Sequence, residues 1–177
     1  MMLRRRFLTA LGATLALSAC VAPTPDLGND VGTLNVRAVA VDVSKMERVV
    51  EGRTTTVTKV QLKRDLEAAL LASLSKYSDP NGTPVRVSVQ VTKVQLTSPA
   101  AAAVAAGSSF IEGLVSLDDL STDQQHMSPV AVKGSSAALR LPGVIGIVTS
   151  PSADKDYLDT VAGFSETVKN ALLGADT

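Results

Sequence analysis

The chain is poor in the residues from which most catalytic and metal sites are built. Its 177 residues include one cysteine, one histidine and no tryptophan, and aromatics make up only 3%. A single cysteine excludes an intramolecular disulfide. Zinc and copper sites need several converging His, Cys, Asp or Glu ligands, which one His and one Cys do not supply. The histidine, His126, follows Gln124 and Gln125 in a polar stretch and reads as a solvated loop residue. No Gly-x-Ser-x-Gly elbow accompanies it, so a Ser–His–Asp arrangement lacks its usual frame. Asp118, Asp119 and Asp123 have neither the glycine nor the closing glutamate of a calcium loop, and read instead as a strand end and a turn. The two glycines of Gly143–Val148 lack the Lys-Ser/Thr or third glycine of a phosphate cradle. These shortages lead us to expect no metal, no cofactor and no enzymatic centre.

Charge is equally uninformative about an anionic partner. The formal net charge is zero. Neutralising phosphates takes a clustered basic patch, so nucleic-acid binding is not expected. No apolar run reaches the roughly 20 residues that a membrane-crossing helix requires. Apolar residues nevertheless form 45% of the chain, mostly Ala and Val, enough for a core and too many for general disorder.

The N-terminus is where the sequence is most specific. Arg4-Arg5-Arg6 is a positive n-region, and Phe7 to Ala19 is an apolar run of signal-peptide length. The run ends in Leu17-Ser18-Ala19-Cys20, which resembles the lipobox of bacterial lipoprotein signals. That resemblance implies cleavage between Ala19 and Cys20 and attachment of diacylglycerol to the Cys20 thiol. Two or three acyl chains hold a protein on a bilayer, whereas one does so only marginally. An ordinary secretory signal with an incidental Cys20, or an uncleaved anchor helix, is the plainer alternative. Val21 follows the cysteine where an Asp would retain the protein at the inner membrane in enteric-type sorting, so the resemblance implies the outer membrane, facing the periplasm. Arg4-Arg5-Arg6-Phe7-Leu8 also resembles the twin-arginine export pattern, against the alternative of an n-region that is simply arginine-rich. Without residues 1–19 the chain carries 14 basic and 17 acidic side chains, about −3.

Residues 20–33, with two prolines and two glycines, read as the lipidated cysteine and a flexible tether. Residues 34–177 then read as one domain. Leu34–Val43 has valines on both faces and predicts a central strand covered on two sides. Residues 44–57 read as a loop or short extended excursion. Thr58 and Gln61 suggest a capping box for a helix over 59–77, with Leu62, Leu66, Ala69, Leu70, Leu74 and Tyr77 as its stripe. Asp79-Pro80-Asn81-Gly82 reads as a type I turn. Val85, Val87, Val89 and Val91 alternate with polar residues, and the parity shift to Val94 and Leu96 predicts a bulge near Thr92-Lys93. Phe110–Leu117 and 127–133 read as strands, the latter at an edge because of Pro129. A second helix over 153–173 is capped by Ser152, with Asp154 and Asp156 suiting its positive end.

The expected architecture is α+β: a two-layer sandwich in the order β-α-β-β-β-α, with a mainly antiparallel sheet of about four strands under two amphipathic helices. With the lipobox, the tether and the stretch FIEGLVSLDDLSTDQ, this order resembles the auxiliary lipoproteins of ABC-type and intermembrane lipid transport. The resemblance implies a non-enzymatic accessory module with an envelope protein partner, or alternatively a lipoprotein that binds a small ligand or lipid between sheet and helices. Two low-charge apolar stretches, 99–106 and 143–148, read either as buried or as facing a partner. With Phe110, which opens the next strand, they make Val104, Phe110, Val144 and Ile145 the candidate interface residues.

Overall fold

The computed structural model describes residues 33–51, 57–98, 108–136 and 152–173, with backbone only at 48–51. Among the described residues, five strands and two helices form two layers. The strands are β1 (Leu34–Asp42), β2 (Glu47–Glu51), β3 (Thr83–Thr97), β4 (Phe110–Asp119) and β5 (Gln124–Ser135). The helices are α1 (Lys59–Leu74), extended by a 3-10 turn at Ser75–Tyr77, and α2 (Ala153–Leu173).

β3 is long because its alternation is uninterrupted from Val85 to Val91, and all four valines are buried. It anchors the sheet, whose order is β1-β3-β4-β5, with β2 pairing β3 beyond the end of β1. β1 and β2 run parallel to β3, while β3–β4 and β4–β5 are antiparallel. The sheet is therefore mixed. The three consecutive strands pair as expected, and the parallel pair arises because α1 returns the chain from the end of β2 to the start of β3.

β1 is an edge strand, not the central one that its valines suggested. One face carries Ala38 and Ala40, small enough to be left partly open, and Arg37 is an exposed extra residue between Val36 and Ala38 in the pairing. The free side of this edge is capped by side chains. The Val36 N–H donates to Ser78 Oγ at 2.8 Å and the Val41 N–H donates to Glu67 Oε1 at 3.1 Å. Capped edge amides are unavailable to a passing strand.

The opposite edge, β5, is blunted differently. Its register against β4 slips twice, near Pro129 and at His126. Pro129 thus sits where proline is tolerated, at an edge and beside a bulge. His126 belongs to β5 rather than to a turn; it is exposed and has no partner across the ladder. A further slip falls between Val91 and Lys93, where the parity change placed it, and Thr92 Oγ1 donates to the Glu112 carbonyl at 3.1 Å.

Both helices cover the same face of the sheet. Thr58 caps α1 by accepting from the Gln61 N–H at 3.1 Å, and Leu62, Leu66, Leu70 and Leu74 are buried. Tyr77, expected on this stripe, is 49% exposed, because the helix tightens to 3-10 before reaching it. Asp79–Gly82 closes the turn into β3, with the Gly82 N–H donating to the Asp79 carbonyl at 3.0 Å. α2 buries Tyr157, Val161, Phe164, Val168, Ala171 and Leu172. It lies unusually close to β5: a Cβ on Gly163 would stand 2.0 Å from the Ser135 carbonyl oxygen, and one on Gly134 would stand 2.2 Å from Phe164 Cα. Two facing glycines allow this backbone-on-backbone approach.

Candidate functional site

Three places could carry function: the space between the layers, the uncovered face of the sheet, and the two ends of the strands. Between the layers, the described residues leave only a small hollow. The hollow lined by Met46, Val57, Leu62, Val94, Leu96 and Tyr157 measures about 20 Å³. That is close to the volume for one water and far below the roughly 300 Å³ at which ligand pockets begin. At the rim of this interface the Tyr157 hydroxyl donates to Asp65 Oδ2 at 2.9 Å. Burial and the neighbouring Asp65 push the phenol far above its ordinary value.

Among the described residues no element covers the other face of the sheet. Across it run Ala40, Ser88 and Ser116, then Asp42, Gln90, Leu114 and Ala131, then Lys93, Glu112 and Lys133. The small first row makes a shallow concavity of about 500 Å³, lined by Ala40, Asp42, Ser88, Gln90, Leu114 and Ser116 together with Lys63 and Pro129. Its charges are mostly matched locally. Ser88 Oγ donates to Asp118 Oδ2 at 2.6 Å, Arg86 Nε to the same oxygen at 3.4 Å, and Lys133 Nζ lies 2.8 Å from Glu112 Oε1. Gln90 Nε2 donates to Asp42 Oδ2 at 3.3 Å, and the Ser44 amide and this amide together hold the Asp42 carboxyl below its usual range. Phe110 is on this face and half-buried, with Lys133 Nζ 3.9 Å and Lys93 Nζ 5.7 Å from its ring centroid. Of the four candidate interface residues it is the one that the structure describes. Val104, Val144 and Ile145 lie outside the described residues, as do Ala19 and Cys20.

The strand ends differ in character. At the end where residue 33 enters, the Asp79 N–H donates to the Leu34 carbonyl and the Thr83 N–H to the Thr33 carbonyl, binding the incoming chain to the turn before β3. Asp119 belongs to this end and shapes the β4–β5 turn by accepting from the Ser121 N–H at 2.6 Å, which lowers its pKa. Asp123 adopts a φ of +54°, a turn conformation that Asp tolerates. The three aspartates therefore end a strand and form a turn, and no cluster of metal-ligating residues occurs among the described residues.

At the far end lies a buried polar cluster that the sequence reading did not assemble. Ser109 Oγ donates to Asp156 Oδ2, and the Thr97 N–H donates to Ser109 Oγ at 3.0 Å. The Ser136 N–H donates to the Ser109 carbonyl at 3.2 Å, and Thr160 Oγ1 donates to the Asp156 carbonyl at 2.6 Å. Asp156 and Thr160 are fully buried. Asp156 was read only as a charge suited to the helix N-terminus. Its four-residue spacing to Thr160 and Phe164 was the available sign that it faces inward. The cluster ties the end of β3, the starts of β4 and α2 and the residue after β5 into one knot. A serine and a carboxylate thus come together, but His126 lies at the opposite strand end, about 25 Å away along β4. No triad can form from these groups.

Ser98, Ser109, Ser136 and Ser152 all gather at this far end. They bracket the segments 99–108 and 137–151, which contain both low-charge apolar stretches. The described residues that flank those segments thus lie at the end opposite residue 33.

No family model and no curated protein matches the chain. Among solved structures it is similar to a dodecameric PelC variant from Paraburkholderia phytofirmans, at 13% identity and a TM-score of 0.37, covering 82% of this chain and 92% of that one. It is also similar to a candidate lipoprotein from Caulobacter crescentus CB15, at 12% identity and a TM-score of 0.32, covering 71% and 85%. A Xanthomonas campestris protein of the DUF330 family gives 11% identity and a TM-score of 0.40 over 80% and 87%. At these scores the likenesses carry no argument about activity.

Proposed function

We propose that this chain is a lipid-anchored lipoprotein of the bacterial envelope that works by binding another envelope component rather than by catalysis. The observation that carries the reading is Leu17-Ser18-Ala19-Cys20 at the end of a charged-then-apolar leader. An acylated Cys20 holds the protein on a bilayer, and Val21 favours the outer membrane with the domain in the periplasm. Residues 21–33 give a tether that reaches at most about 45 Å when extended. The domain then meets its partner, an accessory role in an envelope assembly or transport system being the one the leader and element order suggest.

Several features support a binding role. Several described polar groups hold the fold: Asp156 and Ser109 on the strand ends, Glu67 and Ser78 on the β1 edge, Asp118 and Asp119 on the β4 end. With both sheet edges capped or bulged, recognition falls to the face that no described residue covers and to the far end, where the residues flanking the segments that hold Val104, Val144 and Ile145 lie. Affinity isolation of the detergent-solubilised protein from its own envelope tests this. A stoichiometric protein partner, lost on V104D or I145D while the melting temperature holds, is the expected result. Loss of folding in both variants would instead assign these residues to the core.

The concavity on the uncovered face favours one second reading, a lipoprotein that carries a small ligand there. About 500 Å³ is within the size range of ligand sites, and the sealed layer interface leaves no comparable room among the described residues. Mass spectrometry of the natively purified protein separates the two: a stoichiometric small molecule supports the second reading.

A further inference from the structure

We infer that this protein is exported already folded, by a twin-arginine translocase that reads Arg4 and Arg5. The inference rests on residues 1–19 being an export signal and adds the route. Arg4-Arg5-Arg6-Phe7-Leu8 fits the pattern two Arg, any residue, Phe, Leu at every position. A general secretory signal asks only for positive charge ahead of its apolar run, and lysine meets that need as well as arginine. Arginine differs by its planar fork of donors, which a receptor carboxylate grips in two places and which lysine cannot reproduce. A paired guanidinium followed at fixed spacing by an aromatic and a leucine is therefore a readable shape as well as a charge.

The domain is suited to folding before export. The only cysteine is residue 20, ahead of the domain, so no disulfide awaits an oxidising compartment. The described core is apolar, and its buried Asp156 is hydrogen-bonded to Ser109 within the fold. The parallel β1–α1–β3 unit closes within residues 34–97. A chain made from its N-terminus can form that unit before α2 is synthesised, and a unit so formed resists being threaded as an open strand.

The test follows processing of the pulse-labelled full-length precursor in cells. R4K/R5K keeps the whole n-region charge, yet its precursor should remain uncleaved in the cytoplasm. R6K changes the free position of the pattern and should be processed at the wild-type rate. Deleting the translocase should trap the unaltered precursor. Wild-type processing of R4K/R5K, equal defects in R4K/R5K and R6K, or normal export in the deletion strain would each overturn the route. The route and the anchor fail separately: R4K/R5K protein that is exported and acylated normally sinks the route alone, and exported wild-type protein without acyl label sinks the anchor alone.

Discussion

At the scale of single residues, the account turns on positions where one atom decides the outcome. Gly163 and Gly134 have no room for a methyl group against β5 and α2 backbone, where no flexible side chain can yield. Overpacking a core commonly costs 1–3 kcal/mol, and a backbone clash belongs at the upper end. Gly163→Ala should therefore lower stability by about 3 kcal/mol in a urea titration of the detergent-solubilised protein. The neighbouring Ala162 is exposed, so Ala162→Ser should stay within about 0.5 kcal/mol of wild type in the same titration. Asp156→Ala would remove the carboxylate to which Ser109 donates at the strand ends. A buried donor stripped of its acceptor costs about 1–3 kcal/mol, so a clear fall in the unfolding midpoint is expected. An unchanged midpoint would mean that the far-end knot contributes nothing to holding the strands together.

At the scale of elements, the two helices and the valine strand were legible because their periodicities are strong: Leu62 to Leu74 at helical spacing, Val85 to Val91 at spacing two, and a parity break that placed the bulge. What was not legible followed from pairing rather than pattern. β1 carries valines on both faces, which sequence alone cannot distinguish from a central strand, and only its parallel pairing with β3 puts it at the edge. Glu47–Glu51 is short and charged, so its strand character comes from pairing with the end of β3 that β1 does not reach. His126 sits in a polar run yet joins β5 as a bulged residue. The far-end cluster was hidden because Ser109 and Asp156 are 47 residues apart and neither belongs to a motif.

Two predictions belong to this scale. Thr58→Ala removes the α1 cap and should cost about 1 kcal/mol, read as a lower melting temperature. Glu67 bonds α1 to the β1 edge. Burial alone would push its carboxyl up, but Lys63 and the Val41 N–H outweigh it, so its pKa falls below the ordinary 4.5. A group lowered on folding binds more protons when unfolded, so its contribution is present above about pH 4.5 and is lost as pH falls through the lower folded value. Glu67→Gln should therefore be less stable than wild type at pH 7, and the gap should narrow below pH 4.5. A gap that is constant with pH would show that the carboxylate charge plays no part at the β1 edge.

At the scale of the molecule, the parts fall into an axis. Residue 33 enters at one end of the sheet, and residues 98, 109, 136 and 152, which flank both low-charge segments in the sequence, lie at the other. In the placement we propose, this far end and the face that no described residue covers would be turned to whatever lies within reach of the membrane. No described helix is long and apolar enough to cross a bilayer, and the attachment we propose is through the leader. The entire placement thus depends on the chemistry of one thiol. Labelled palmitate fed to cells producing the full-length protein tests it most directly. The account predicts label in the wild-type band and none after Cys20→Ser. A wild-type band without label, or equal label in the serine variant, would contradict it.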